Sequence, residues 1–114
     1  GGVFVNNNVE VGNLCSIARG TLDNTIINEG VKIDNHVYIA HNVLVGKNSM
    51  LMSGSKVNGS VKIGKNCWIG TGAMIREGVN VGDNAIVGMG SVVVKNINEK
   101  STVIGNPARQ WGRE

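Results

Sequence analysis

The chain has 114 residues and a formal net charge of +3, so it is long enough for one domain and too short for separate cofactor and substrate domains. Hydrophobic residues make up 41% and charged residues 17%, which excludes a disordered chain, and no apolar run approaches the ~20 residues of a membrane-spanning helix. The positive charge is weak and scattered, which argues against nucleic-acid binding, and a cytoplasmic location is expected.

A six-residue repeat organises nearly the whole chain. The residue four positions after each repeating aliphatic is small or β-branched, Thr21 among them, so two columns of side chains are expected to face inward. The 17 glycines and the 4% of aromatic residues agree with a thin core of small aliphatic side chains. The repeating aliphatic positions are Val5, Val11, Ile17, Ile27, Ile33, Ile39, Val45, Leu51, Val57, Ile63, Ile69, Ile75, Val81, Val87 and Val93.

Corners between short strands are predicted at the third position after each aliphatic, where Gly or Asn usually stands. These residues tolerate positive φ with little strain. Strand-and-corner units would close a triangular coil of about 18 residues, so the repeat predicts an all-β parallel β-helix of about five coils. We assign residues 1–98 to this β-helix and 99–114 to a short C-terminal cap. The repeat slips once, after Ile17, and we place the extra residues at Asp23–Ile26, as a binding loop or a tolerated insertion.

Stacking the corners at this spacing places His36, Gly54, Gly72 and Gly90 along one edge, which we call the glycine edge. Backbone without side chains would form a groove there, able to hold an extended chain such as a pantetheine arm. The same glycines also satisfy the conformational demand of a corner. The sequence leaves both interpretations open.

The titratable side chains offer one candidate for acid–base chemistry. Cys15 and Cys67 fall in the small inward column on different sides of the triangle, which favours core packing over a disulfide, a thiolate metal site or a nucleophile. His41 falls at a corner near solvent and is the candidate general base. Asp34, seven residues earlier, is the candidate for orienting it.

Two sets of motifs resemble known acyltransferases and together cover most of the chain. The stretches Ser16–Thr25, Gly30–Asn35 and Ile39–Val43 closely resemble the hexapeptide-repeat N-acyltransferase of lipid A synthesis. The stretches Gly59–Gly70 and Gly105–Arg109 are more similar to the bacterial UDP-amino-sugar N-acetyltransferases that use acetyl-CoA.

The resemblance implies a left-handed β-helix that assembles as a homotrimer. It implies transfer of an acyl group, acetyl above all, from a CoA thioester to the amine of a nucleotide-linked amino sugar, with His41 as the catalytic base and no permanently bound cofactor. Two positions of the glycine edge, Gly72 and Gly90, join the residues that this alignment places at the acetyl-CoA contacts. The complete set expected to bind the acyl donor is Met50, Gly59, Thr71, Gly72, Met89, Gly90 and Arg109.

The sequence departs from these families at three points. Asn42 stands where the acetyltransferases carry an acidic residue that raises the basicity of the histidine, so Asn42 and Asp34 are both candidates for supporting His41. Gly78 stands where the lipid A enzyme has a second histidine. The N-terminal uridine-binding domain and the C-terminal helical extension of that enzyme have no counterpart here, which leaves open a missing N-terminal sugar-binding domain.

Three alternatives stay open. The first is transfer of a longer acyl chain from acyl carrier protein, as in the lipid A enzyme. The second is a zinc protein like the γ-class carbonic anhydrases, suggested by the spacing of His36 and His41, although the third histidine of that site is missing and no metal ligand set is predicted. The third is a passive structural solenoid.

Overall fold

A computed structural model describes residues 1–112, which form 17 short β-strands. None of these residues lies in a helix long and apolar enough to cross a membrane. The strands are β1 (Val3–Val5), β2 (Glu10–Val11), β3 (Ser16–Ile17), β4 (Thr25–Ile27), β5 (Lys32–Ile33), β6 (Tyr38–Ile39), β7 (Leu44–Val45), β8 (Met50–Leu51), β9 (Lys56–Val57), β10 (Lys62–Ile63), β11 (Trp68–Ile69), β12 (Met74–Ile75), β13 (Asn80–Val81), β14 (Ile86–Val87), β15 (Val92–Val93), β16 (Thr102–Gly105) and β17 (Ala108–Gln110).

The strands form three sheets, which are the faces of a triangular prism. The first face contains β1, β4, β7, β10 and β13, and the third contains β3, β6, β9, β12 and β15. The second face contains β2, β5, β8, β11, β14, β16 and β17. From β4 to β15, each strand pairs in parallel with the strand three places earlier in the chain, so every coil stacks directly on the one before it.

The side chains of the repeat form the core of the prism, as predicted. Every repeating aliphatic from Ile27 to Val93 is buried, and the smaller side chains of the second column fill the space between them. Val5 and Val11 are 51% and 46% exposed, because they belong to the first coil and no described coil covers its outer end. Burial of branched aliphatic side chains stabilises such a fold by about 1.5–3 kcal/mol each, as an upper bound.

The corners adopt the predicted backbone conformation. All predicted corner residues have positive φ except Gly20, in the loop at residues 18–24, and Asn96, in the segment after β15. His36 and Ser60 also take this conformation, each with φ of 60°, although neither is Gly or Asn. Positive φ therefore depends more strictly on the position in the coil than on the type of residue.

The extra residues of the repeat lie earlier than predicted. Strand β4 begins at Thr25 because Thr25–Ile27 pairs in register with Val3–Val5, so residues predicted to loop out are in a strand. The loop occupies residues 18–24 instead. Thr25 is fully buried in the inward column, and Thr21, predicted to be there, is exposed.

The prism is slightly longer than the predicted five coils. After β15 a sixth coil begins, in which Ile97 bridges to Val81 and β16 stacks in parallel on β14. Strand β17 then turns back antiparallel to β16 and ends the second face. Residues 113–114 of the predicted cap lie outside the described residues.

The cysteines belong to different faces and are not bonded to each other. Cys67 is buried, and its thiol donates to the carbonyl of Gly82 at 3.1 Å. Burial raises the pKa of the Cys67 thiol above its ordinary value, against the opposing effect of hydrogen bonds from Ala85 and Ser49. Cys15 is half-buried in the first coil. The predicted packing role is confirmed for Cys67.

Some glycines leave room for the backbone of the next coil, and others stand at corners in open space. We expect the first kind to contribute more to the free energy of unfolding. A Cβ at Gly46 would lie 2.5 Å from the carbonyl carbon of Gly64, whereas a Cβ at Gly72 would meet nothing within 4 Å. Gly72→Ala should cost about 1 kcal/mol through its positive φ alone. Gly46→Ala should cost more, because two backbones must separate, and urea unfolding of the two variants side by side measures the difference. Equal costs would contradict the close stacking described here.

The two cysteines should differ in reactivity because a buried, protonated thiol is a poor nucleophile. A maleimide added to the native protein should label Cys15 at least about tenfold faster than Cys67, measured by mass spectrometry over time. Cys15→Ser should remove the fast phase, and denaturant should make both cysteines react. Labelling of Cys67 at the rate of Cys15 would show that the core opens readily.

Candidate functional site

His41 lies at the corner between the third and first faces, directly after β6. Ile39 and Val43 on either side are fully buried in the core, so the turn between them carries the imidazole outward, where it is exposed. In the following coils the same edge continues through Ser60 and Gly78. We call this edge, with corners at Asn42, Ser60 and Gly78, the His41 edge.

A groove runs from His41 across the third face. Its volume is about 480 Å³, and its floor is formed by the outward side chains of β6, β12 and β15. The apolar part of the lining comes from strand residues and from the residues that directly follow β6 and β15, and the charged part comes from Arg76 and Glu77 beside the edge. The lining residues are Tyr38, Ala40, His41, Asn58, Gly59, Met74, Arg76, Glu77, Val92 and Val94.

The His41 ring is held between two neighbours. Its Nδ1 lies 3.2 Å from Oδ1 of Asn42. Its other nitrogen faces Gly59 in the next coil, where a Cβ atom would come within 2.5 Å of Nε2. Only glycine therefore leaves room for the ring in this position.

The amide of Gly59 is a free donor beside the ring. Gly59 is buried, and its carbonyl accepts from Gly78 at 2.9 Å, but no hydrogen bond within residues 1–112 uses its N–H. An N–H without a partner in the protein can donate to a ligand or to water. Nε2 of His41 and the N–H of Gly59 together give a proton acceptor and a hydrogen-bond donor at the mouth of the groove.

Asp34 and Asn42, the two candidates for supporting His41, lie in different places. Asp34 follows β5 on the second face, and its carboxylate accepts a hydrogen bond from the amide of Asn35 at 2.8 Å. Of the two candidates, only Asn42 lies within hydrogen-bond distance of the imidazole. The reason is geometric, because residues seven apart lie on different sides of the corner at His36.

The residues predicted to bind the acyl donor divide into three places. Gly59 lies against His41. Thr71, Gly72, Met89 and Gly90 lie on the glycine edge, between the second and third faces, and all are exposed. Met50 lies on β8 of the second face, beside the exposed ion pair of Lys32 and Glu10 at 3.0 Å, and Arg109 lies on β17. A single chain thus brings one of the seven to His41.

The apolar groove residues were missed in the sequence because the repeat was interpreted only for inward positions and corners. Tyr38, Met74 and Val92 each precede a buried aliphatic and stand in one outward column of the third face. In this column Met74 pairs with Val92, and Lys56 of β9 pairs with both Tyr38 and Met74. Their outward column could have been found by stacking these positions as the corners were stacked. The exposed side chains of Tyr38 and Met74 would then have appeared next to His41.

No metal-binding cluster of three or more His, Cys, Asp or Glu side chains is present within residues 1–112. His36 lies on the glycine edge and His41 on the His41 edge. The carbonic anhydrase alternative therefore finds no ligand set in the part of the chain that the structure describes.

Two families match adjoining parts of the chain, and solved structures match nearly all of it. The bacterial transferase hexapeptide family (six repeats) matches residues 24–59, and the hexapeptide repeat of succinyl-transferase matches residues 60–95. Arabidopsis UDP-N-acetylglucosamine acyltransferase superposes with a TM-score of 0.94 at 26% identity, over 96% of this chain and 39% of that one. A variant of perosamine N-acetyltransferase from Caulobacter crescentus, in complex with CoA and GDP-perosamine, gives 0.53 at 25% identity, over 97% and 54%.

Among curated proteins, UDP-3-O-acylglucosamine N-acyltransferase of Acinetobacter baumannii (strain AYE) is 50% identical over 62 residues, which are 54% of this chain and 17% of that protein. The matched stretch thus spans less than a fifth of the length of this relative. The similarity includes the fold, and the predicted left-handed parallel β-helix is confirmed. The repeat, the fold and these matches place the chain in the family of hexapeptide-repeat transferases.

Proposed function

We propose that this chain transfers an acyl group, acetyl above all, from a CoA thioester to the amine of a nucleotide-linked amino sugar. The observation that carries the proposal is the position of His41 Nε2 against Gly59, whose N–H has no partner within residues 1–112, in the lining of one groove. The names of the relatives support it, since they describe acylation of UDP-linked glucosamine derivatives, and one neighbour holds CoA with GDP-perosamine.

The arrangement suits acyl transfer to an amine. Nε2 of His41 accepts a proton from the amine as its nitrogen attacks the thioester carbonyl carbon and the C–N bond forms. The carbonyl oxygen gains negative charge, and the Gly59 N–H donates a hydrogen bond to it. The C–S bond then breaks, and the leaving thiolate takes the proton from the imidazolium. The products are an amide and a free thiol, and His41 returns to its starting state.

We infer that the functional unit is a homotrimer. Within one chain the His41 edge and the glycine edge lie at different corners of the prism, so the predicted donor-binding residues are separated from the base. Packing of prisms around a threefold axis would set the glycine edge of one copy against the His41 edge of another. The glycine edge, with Thr71, Gly72, Met89 and Gly90, would then hold the pantetheine arm, Met50 the adjoining part of the donor, and Arg109 its phosphates.

A longer acyl group carried by acyl carrier protein is the second candidate donor, and the groove favours it. Tyr38, Met74 and Val92 extend over three strand spacings, about 14 Å at ~4.8 Å for each spacing. An acetyl group fills only a small part of that length. The two donors predict different uses of the groove, since only a long chain would contact Val92.

We expect thiol release from acetyl-CoA, with a panel of UDP- and dTDP-linked amino sugars, to depend on His41. His41→Ala should lower kcat by at least about 10²-fold, because it removes the base. Asn66→Gly is the control, since glycine tolerates the positive φ at this corner and Asn66 lies on neither the His41 edge nor the glycine edge. The same assay, with the same amino sugars and with a long acyl group carried by acyl carrier protein as the donor, tests the second candidate donor.

Light scattering on both variants verifies that the trimer mass is unchanged. Full activity of His41→Ala with any donor would rule out His41 as the base. Release that is histidine-dependent only with the long-chain donor would assign the longer acyl group in place of acetyl.

Gly59→Ala should displace the His41 ring, because the new Cβ would lie 2.5 Å from Nε2. We expect kcat/KM to fall at least about tenfold while the melting temperature changes little, since the ring can rotate away into solvent. Gly78→Ala on the same edge is the control. Its Cβ would meet nothing within 4 Å, and its positive φ makes it the more strained substitution. A larger loss of activity in Gly78→Ala than in Gly59→Ala would contradict this account of the site.

A further inference from the structure

We propose that Thr21, in the loop at residues 18–24, is a positioning residue that fixes the tautomer of His41 through Asn42. The loop holds the Asn42 amide with its oxygen toward the ring, so the neutral imidazole carries its proton on Nδ1 and leaves Nε2 unprotonated. This inference rests on the proposed role of His41 as base, and it identifies what prepares that base.

The hydrogen bonds around Asn42 determine the orientation of its amide. Oδ1 lies 3.2 Å from the backbone N of Thr21 and 3.0 Å from its Oγ1. A backbone N–H can only donate, so the Asn42 atom that faces it must be the oxygen. The same oxygen lies 3.2 Å from Nδ1 of His41, and it can only accept. Nδ1 must therefore carry a hydrogen, and Nε2, which faces Gly59, has the free lone pair.

Asn42 is held by its backbone as well as by its side chain. Its N–H donates to Oγ1 of Thr25 at 2.9 Å, and Thr25 is fully buried. Thr21 and Thr25 thus stand on the two sides of the loop bend and both contact Asn42. The bend itself depends on Gly20, which is buried and where a Cβ would overlap the carbonyl of Asp23.

This arrangement is specific to one coil. Ser60 and Gly78 occupy the corresponding corners above Asn42, and the loop contacts neither of them through a hydrogen bond in the described residues. The interruption of the repeat therefore supplies a contact that the regular coil lacks, at the one corner of this edge that follows a histidine. An exposed imidazole without such a contact exchanges between its two tautomers.

The proton transfer uses this contact in both directions. When Nε2 takes the proton from the attacking amine, the imidazolium donates from Nδ1 to the Asn42 oxygen, which stabilises the positive charge. When Nε2 returns the proton to the leaving thiolate, the ring is again the Nδ1–H tautomer. The His41 ring therefore needs no rotation between turnovers.

The ¹⁵N chemical shifts of His41 measure the tautomer directly and without any substrate. The experiment uses a His36→Asn background, so that His41 is the only histidine, in alkaline buffer where a free imidazole is neutral. We expect a protonated Nδ1 and an unprotonated Nε2 in this background. In Asn42→Gly, which keeps the positive φ and removes the oxygen, the two shifts should converge toward an exchanging mixture.

Thr21→Val and Thr21→Ser isolate the loop contribution. Valine keeps the shape and removes the hydroxyl, so the shifts should move part of the way toward the mixture, and kcat should fall about threefold with KM unchanged. Serine keeps the hydroxyl, so Thr21→Ser should show the original shifts and the original kcat. Asn42→Gly should lower kcat about tenfold, and Asn42→Asp, which keeps an acceptor oxygen, should retain the Nδ1–H signature.

A proton on Nε2 in the His36→Asn protein, or shifts that do not change in Asn42→Gly, would overturn the assignment. Unchanged shifts in Thr21→Val would remove the role of Thr21. Because the shifts need no turnover, they test the tautomer even if His41→Ala proves active. In that case the proposed base is wrong, and the shifts alone decide the tautomer assignment.

Discussion

The positive φ at each corner is the constraint on which the rest of this molecule depends. Strands of two or three residues cannot form a stable sheet alone, so each must find its partners in the coils above and below. A corner at a fixed interval delivers them in register, as when the Lys32 N–H donates to Ser49 at 3.0 Å and Tyr38 to Ser55 at 3.0 Å. His36 and Ser60 accept a strained conformation because this ladder fixes their neighbours on both sides.

The same constraint places chemistry on the outside of the prism. The interior is filled by branched aliphatic and small side chains and has no room for a substrate. A ligand must therefore lie along a face or an edge, where successive coils offer one residue each. His41 and Gly59 meet in this way, from consecutive coils of the same edge. Exposed apolar side chains from other coils extend the site along the third face.

The interruption of the repeat shows how a regular solenoid acquires a local function. Four extra residues leave the stacking intact, since β1, β2 and β3 all pair in register with strands of the next coil. The extra residues change only the outer surface of the His41 edge, where the loop contacts Asn42. The repeat supplies a rigid base for His41, and the interruption supplies the polar partner that a regular corner does not provide.

The sequence by itself determined the elements that depend on local backbone conformation and on a fixed period. The buried column from Ile27 to Val93, the left-handed corners and the packing of Cys67 are all encoded within single repeats, so they could be predicted without knowing which coils meet. Tertiary structure decided the rest. Thr25 replaced Thr21 in the core because pairing with β1 set the register, and Asn42 rather than Asp34 reached His41. These contacts join residues from different coils, and their partners depend on how the chain stacks across the interruption, which a six-residue pattern does not specify.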